Sequence, residues 1–129
     1  ARLLRFTGDT DRALARLRDV ASALVGQGYR LGVMATAEDV AQFADLTVEI
    51  AELGSETDLS QIGRSLFAQM RRLDSLRVDV ILVRAPKQEG LGLTIWDRLF
   101  RAAEGKVFDL ESGVEVGEVV RMIRRGKIT

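Results

Sequence analysis

Apolar and polar positions alternate along this chain with two periods, and the changeover points divide it into short strands and amphipathic helices. Leu3 to Phe6 reads as a short strand, and Gly8-Asp9-Thr10 follows as a turn able to cap a helix. Leu14, Leu17, Ala21 and Leu24 then recur at helical spacing until Gly26 and Gly28 end the pattern. Leu31 to Ala35 is an unbroken small-apolar run, expected of a strand covered on both faces. Thr36-Ala37-Glu38-Asp39 has the spacing of a capping box, in which Thr36 satisfies an orphan N–H and Asp39 reaches back, opening a short helix with Val40 and Phe43.

Leu46, Val48 and Ile50 alternate with Thr47 and Glu49, which predicts a strand with one wetter face near a sheet edge. After the polar loop Gly54 to Thr57, Asp58 and Gln61 form a second capping pair. The helix they open carries the stripe Leu59, Ile62, Leu66, Met70 and Leu73. Val78 to Val83 is a further apolar strand, followed by the chain's one proline, Pro86, and by Gly90-Leu91-Gly92. The next helix buries either Ile95, Leu99 and Ala103 or Trp96, Phe100 and Ala103. Gly105 closes it, and Lys106 to Leu110 is a last strand. Val116, Val119, Val120 and Ile123 mark a C-terminal helix with a basic end.

Strand and helix thus alternate throughout. With right-handed crossovers, that order predicts an α/β fold: a Rossmann-like, open, mostly parallel five-stranded sheet with helices on both faces, three layers in all. A length of 129 residues suits a single domain spanning 1–129.

Composition removes much chemistry. Cysteine and histidine are both absent, which excludes disulfides, thiolate nucleophiles, Ser-His and Cys-His catalysis, and zinc sites built on sulfur or imidazole. Nineteen basic and 19 acidic side chains cancel, so strong direct nucleic-acid binding by the chain as a whole is not expected. Local basic patches are read at Arg71, Arg72 and Arg77, and at Arg121, Arg124, Arg125 and Lys127, with a solvated helix face as the bland account of each. No apolar run approaches the roughly 20 residues that span a bilayer, and the N-terminus lacks a signal-peptide layout, so a cytoplasmic protein with no membrane partner is expected.

In open α/β sheets ligands bind outside the carboxyl ends of the strands. Gly90-Leu91-Gly92-Leu93-Thr94 opens a helix and could offer free N–H groups to a phosphate or carboxylate, making Gly90, Gly92, Leu93 and Thr94, with Asp97 and Arg98, the candidate anion or nucleotide site. It is neither a dinucleotide fingerprint nor a P-loop. Asp97 is read first as an i,i+4 ion-pair partner of Arg101 on a wet surface, and Trp96 and Phe100 are read as core rather than as base-stacking groups. Asp9 is read as a helix cap, not a phosphoacceptor, because the third strand ends Ile50-Ala51-Glu52 without a receiver-like carboxylate. Tyr29 is read as packing with its hydroxyl in water. No catalytic residue and no metal site are assigned.

Three segments closely resemble the C-terminal domain of the longer threonylcarbamoyl-AMP synthases, a family once called a putative translation factor. They are Ser65 to Asp74, Val78 to Val83, and Gly90-Leu91-Gly92-Leu93-Thr94-Ile95-Trp96-Asp97-Arg98-Leu99-Phe100-Arg101-Ala102-Ala103, preceded by the fitting Gly32-Val33-Met34-Ala35-Thr36. The likeness covers about residues 2 to 110, leaving 111–129 as a helical extension, and Thr94 departs from the family's usual alanine. The resemblance implies an accessory or regulatory domain with no activity of its own. Its partner would be a catalytic domain that makes threonylcarbamoyl-AMP from threonine, bicarbonate and ATP for tRNA modification. The lysine- and arginine-rich site of that catalytic domain has no counterpart in this sequence. Two alternatives stay open: a stand-alone nucleotide- or anion-binding module, and a structural domain that dimerises through Val116, Val119, Val120 and Ile123.

Overall fold

A computed structural model describes residues 2–7, 9–84, 98, 101, 108–111 and 115–126. The strands are β1 (Arg2–Thr7), β2 (Leu31–Ala35), β3 (Glu49–Glu52), β4 (Val80–Arg84) and β5 (Phe108–Glu111). Among the described residues the helices with defined bounds are α1 (Thr10–Gly26), α2 (Leu59–Ser75) and α3 (Val116–Arg124), with a 3-10 turn at Val40–Phe43. All five strands belong to one sheet in the order β3-β2-β4-β1-β5, and every pairing is parallel.

Because side chains alternate across a strand, each buried strand feeds two cores. Leu4, Phe6, Val33, Val80 and Leu82 pack with α1, α3 and Phe43 on one face. Leu3, Met34, Ile81 and Val83 pack with Ile62, Leu66, Met70 and Leu73 of α2 on the other. The expected three layers are present. Burying both faces explains why β2 and β4 read as continuous apolar runs.

Helix entries follow the local chemistry. The Asp9 carboxylate accepts from the Arg12 N–H at 3.2 Å and caps α1, as expected, and the Asp58 carboxylate accepts from the Gln61 N–H at 3.0 Å to cap α2. At α2 the stripe is the predicted one. In α1 the buried face is Ala13, Leu17, Val20, Ala21 and Leu24, so Leu14 is only half-buried.

Three expectations are corrected. The third strand begins at Glu49, not Leu46, because Glu49 pairs with Gly32 and β2 offers almost no backbone before that point. Leu46 and Val48 still pack on the core from outside the strand. The capping box at Thr36 does not form: the following turn is a single 3-10 turn, and the Asp39 side chain bonds elsewhere. The apolar stripe of α3 is consumed inside the chain, with Val119 and Ile123 at 0% and 1% exposure against α1, so it does not offer a dimer face. Once α1 and β5 leave an uncovered apolar strip on that face of the sheet, the nearest stripe able to fill it is the chain's own.

Candidate functional site at the carboxyl rim

The carboxyl ends of β2, β3 and β4 lie side by side, and the two loops leaving β2 and β3 meet above them. Their backbones are tied first: Leu53 N–H donates to the Ala35 carbonyl at 2.8 Å, and Ala37 N–H to that of Gly54 at 2.8 Å. Gly54 makes the turn with φ +104°, and a Cβ there would stand 2.5 Å from Cδ of Gln61. Substituting Gly54→Ala is expected to cost about 1–3 kcal/mol from the left-handed backbone and the displaced Gln61, read as a lower urea midpoint at unchanged m-value.

Side chains then lock the rim. Arg84 ends β4 with its side chain 3% exposed, and its Nε donates to the Asp39 carboxylate at 2.6 Å. Its second arm, Nη2, donates to Glu56 at 3.0 Å. Burial opposes the charge on Arg84, yet the bonds to Asp39 and Glu56 outweigh it and raise the guanidinium pKa. One cation thereby joins the β2 loop, the β3 loop and the end of β4.

Glu38 forms a second tie. Its carboxylate accepts the Glu56 N–H at 2.9 Å and the Ser55 hydroxyl at 2.7 Å, and those bonds hold its pKa below the ordinary 4.5. The lowering means that Glu38 contributes stability above its unfolded value, which is lost as pH falls through the depressed folded value. Accordingly, Glu38→Gln should be less stable than the parent at neutral pH, and the gap should close in acid, as followed by urea midpoints across pH. The buried Thr36 hydroxyl has no hydrogen bond of ordinary geometry and is at most a minor influence on Glu38.

Chemically, Asp39 and Glu56 share one guanidinium, and Glu38 adds a third carboxylate bonded to the Ser55 hydroxyl and the Glu56 N–H. That surplus of negative charge, with each carboxylate already accepting a hydrogen bond, suits bracing of loops and opposes a phosphate at this part of the rim. Gly90, Gly92, Leu93, Thr94 and Asp97 lie outside the described residues, as do Trp96 and Phe100. Arg98 is helical and exposed. Arg101, also helical, approaches Asp109 at 3.9 Å, and Asp109 is gripped by Arg5 at 2.6 and 3.1 Å across the β1–β5 pair. Tyr29 is half-buried and packs on the core at the opposite end of the sheet. There it lines an open cleft of about 380 Å³ with Val25, Leu31, Leu46 and Val48. Among the described residues there is no group of three or more metal-ligating side chains, and no helix long and apolar enough to cross a membrane.

The sequence reading missed Arg84 and gave Asp39 the wrong partner. The available signal was a charged residue ending the apolar run Val80 to Val83 at the edge where loops gather.

Parallel strands in the order β3-β2-β4-β1-β5 between two helical layers, with a braced carboxyl rim, define an open Rossmann-like α/β domain. A family profile described as threonylcarbamoyl-AMP synthase, C-terminal domain, matches residues 1–104, and the chain belongs to that family. Threonylcarbamoyl-AMP synthase of Pyrococcus abyssi is 27% identical over 103 residues, covering 80% of this chain and 28% of the relative. The Bacillus subtilis synthase is 31% identical over 80 residues, covering 62% of this chain and 22% of its own length. A solved structure of a doubly substituted Pyrococcus abyssi Sua5 shares the fold, with a TM-score of 0.65 at 23% identity over 89% of this chain and 31% of that one. The chain therefore spans less than a third of the relatives it matches.

Proposed function

We propose that this chain serves as the accessory, non-catalytic domain of a threonylcarbamoyl-AMP synthase, acting beside a catalytic domain in tRNA threonylcarbamoyladenosine formation. The observation that carries this reading is the match of residues 1–104 to the C-terminal domain of a synthase whose relatives are more than three times as long as the matched segment. The paired chemistry of the rim supports it. Arg84, Asp39, Glu56 and Glu38 hold loops in place, and a fixed loop surface is what a domain needs to position a partner or gate its ligand. In this reading Gly90, Gly92, Leu93 and Thr94, with Asp97 and Arg98, are the place where the catalytic partner or its nucleotide is met.

The test is calorimetric and enzymatic. The chain is titrated with the catalytic domain of the Bacillus subtilis synthase, with ATP and with threonylcarbamoyl-AMP. Synthesis from threonine, bicarbonate and ATP is then measured with the chain alone, with the catalytic domain alone, and with both. Heat on mixing with the catalytic domain or its ligands, together with altered synthesis only in the mixture, is the expected result. Turnover by the chain alone, or no heat with any of the three, would remove the reading.

A further inference from the structure

We propose that the amino edge of the sheet, opposite the braced rim, is a contact surface for a nucleic-acid backbone, formed by Arg30, Arg71, Arg77, Arg124 and Arg125. This inference rests on charge placement and not on the synthase reading. In the sequence these arginines lie in three separate stretches, and the fold gathers them. Arg30 stands immediately before β2, Arg71 lies just ahead of the last turn of α2, and Arg77 lies between α2 and β4. Arg124 and Arg125 end α3, whose terminus is fixed at the start of β1 because Arg2 donates to the Ile123 carbonyl at 3.0 Å. All five are exposed, and none has a carboxylate partner among the described residues. Arg5, Arg18 and Arg84 are each held by an acid, whereas Arg12 and Arg64 are likewise exposed and without an ion pair among the described residues, so it is the gathering of the five at one end of the sheet that sets them apart.

Helix dipoles account for part of the sorting. Acidic N-caps Asp9, Asp58 and Glu115 collect at the carboxyl edge, and the basic ends of α2 and α3 lie at the amino edge. They do not account for Arg77. It holds φ 58°, the left-handed conformation that Gly28 (φ 90°) and Gly126 (φ 69°) adopt just beyond α1 and α3. At the end of α2 an arginine occupies a position where α1 and α3 use glycine, so the fold tolerates backbone strain to keep a cation there.

The partner follows from shape and chemistry. Arg71 and Arg77 belong to the α2 face and Arg124 and Arg125 to the α1–α3 face, so a single small phosphate does not reach both, whereas a run of backbone phosphates does. Guanidinium suits phosphate through bidentate hydrogen bonds. An anionic membrane fits less well, because the one large hydrophobic exposed among the described residues, Phe67, sits in the middle of α2, away from this edge. Neighbouring Asp74 and Asp79 and the neutral net charge keep the affinity modest. Asp79 itself is engaged with the Arg30 N–H at 2.8 Å.

The experiment is fluorescence anisotropy of a labelled RNA hairpin, and of a DNA duplex of the same sequence, titrated with the chain between about 50 and about 200 mM salt. Binding is expected at the low end, with log K falling linearly in log salt by about 0.9 per phosphate engaged. Arg77→Gly and Arg124→Gln should each weaken binding several-fold and lower that slope by about 1, while Arg64→Gln, near the other end of α2, leaves both unchanged. Arg77→Gly also separates binding from folding, since relief of the left-handed arginine should leave the melting temperature equal or higher as affinity falls. Equal binding of RNA and DNA, or preference for RNA, both fit a backbone contact. The proposal is overturned by no binding at about 50 mM salt, by unaltered affinity of Arg77→Gly, by equal loss in Arg64→Gln, or by anionic phosphatidylserine vesicles outcompeting both nucleic acids.

Discussion

Replacing Arg84 by alanine is expected to lower the stability of the domain by about 3–5 kcal/mol, because breaking a buried pair strands a charge. Asp39 has only 7% of its side chain exposed and lies 2.6 Å from the guanidinium it would lose. Glu56, 35% exposed, can turn to water and contributes less to the loss. Removing both buried charges should be milder than removing one, so Arg84→Met with Asp39→Leu is predicted to recover much of the loss. Urea unfolding of the parent, the single variant and the double variant measures the difference. A single-variant loss under about 1 kcal/mol would show that solvent reaches the pair and that the rim is not braced as described. Because the same guanidinium ties two loops to β4, the single variant should also increase hydrogen exchange at the Ala37 and Leu53 amides, which bridge those loops.

Deleting residues 115–129 is expected to be more damaging still, costing about 5 kcal/mol or more, because three buried aliphatic side chains are removed and the apolar face of α1 and the sheet beneath them meets water. Val119, Val120 and Ile123 close the sheet face beside α1, with Val120 at 8% exposure and the other two buried more deeply. A gentler probe is Ile123→Ala, predicted to cost about 2–4 kcal/mol through lost contacts and the cavity left behind. Light scattering on Ile123→Ala should show the same mass as the parent, while its thermal midpoint falls. A drop in mass with no loss of stability would return α3 to the role of a dimer contact.

Much of the fold was legible in the residues because two-sided burial leaves an unmistakable trace. β2 and β4 show as apolar runs, and α2 shows as a stripe framed by a capping aspartate, since each depends on contacts local to the element. Element ends were read less well. The start of β3 is set by where β2 begins, a fact about another segment 17 residues earlier in the Gly32 to Glu49 pairing. Thr36 to Asp39 misled for a similar reason: the spacing suits a capping box, but a buried guanidinium 45 residues away offers Asp39 a charge-assisted bond that outweighs a local one. The candidate site at Gly90 to Thr94 rests on a glycine pattern and lies outside the described residues, and the described part of the rim is built by Arg84, Asp39, Glu56 and Glu38.

By itself, the sequence determined that this is an α/β domain of alternating strands and helices, that it lacks thiol and imidazole chemistry, and which synthase domain it resembles. Those properties are carried by composition and by periodicities spanning one element at a time. The tertiary structure alone decided the strand order, the burial of α3 within its own chain, the ionic brace at the carboxyl rim and the gathering of arginines at the opposite edge. Each of these joins residues far apart in the chain, and their proximity depends on how parallel strands stack, which no local pattern records.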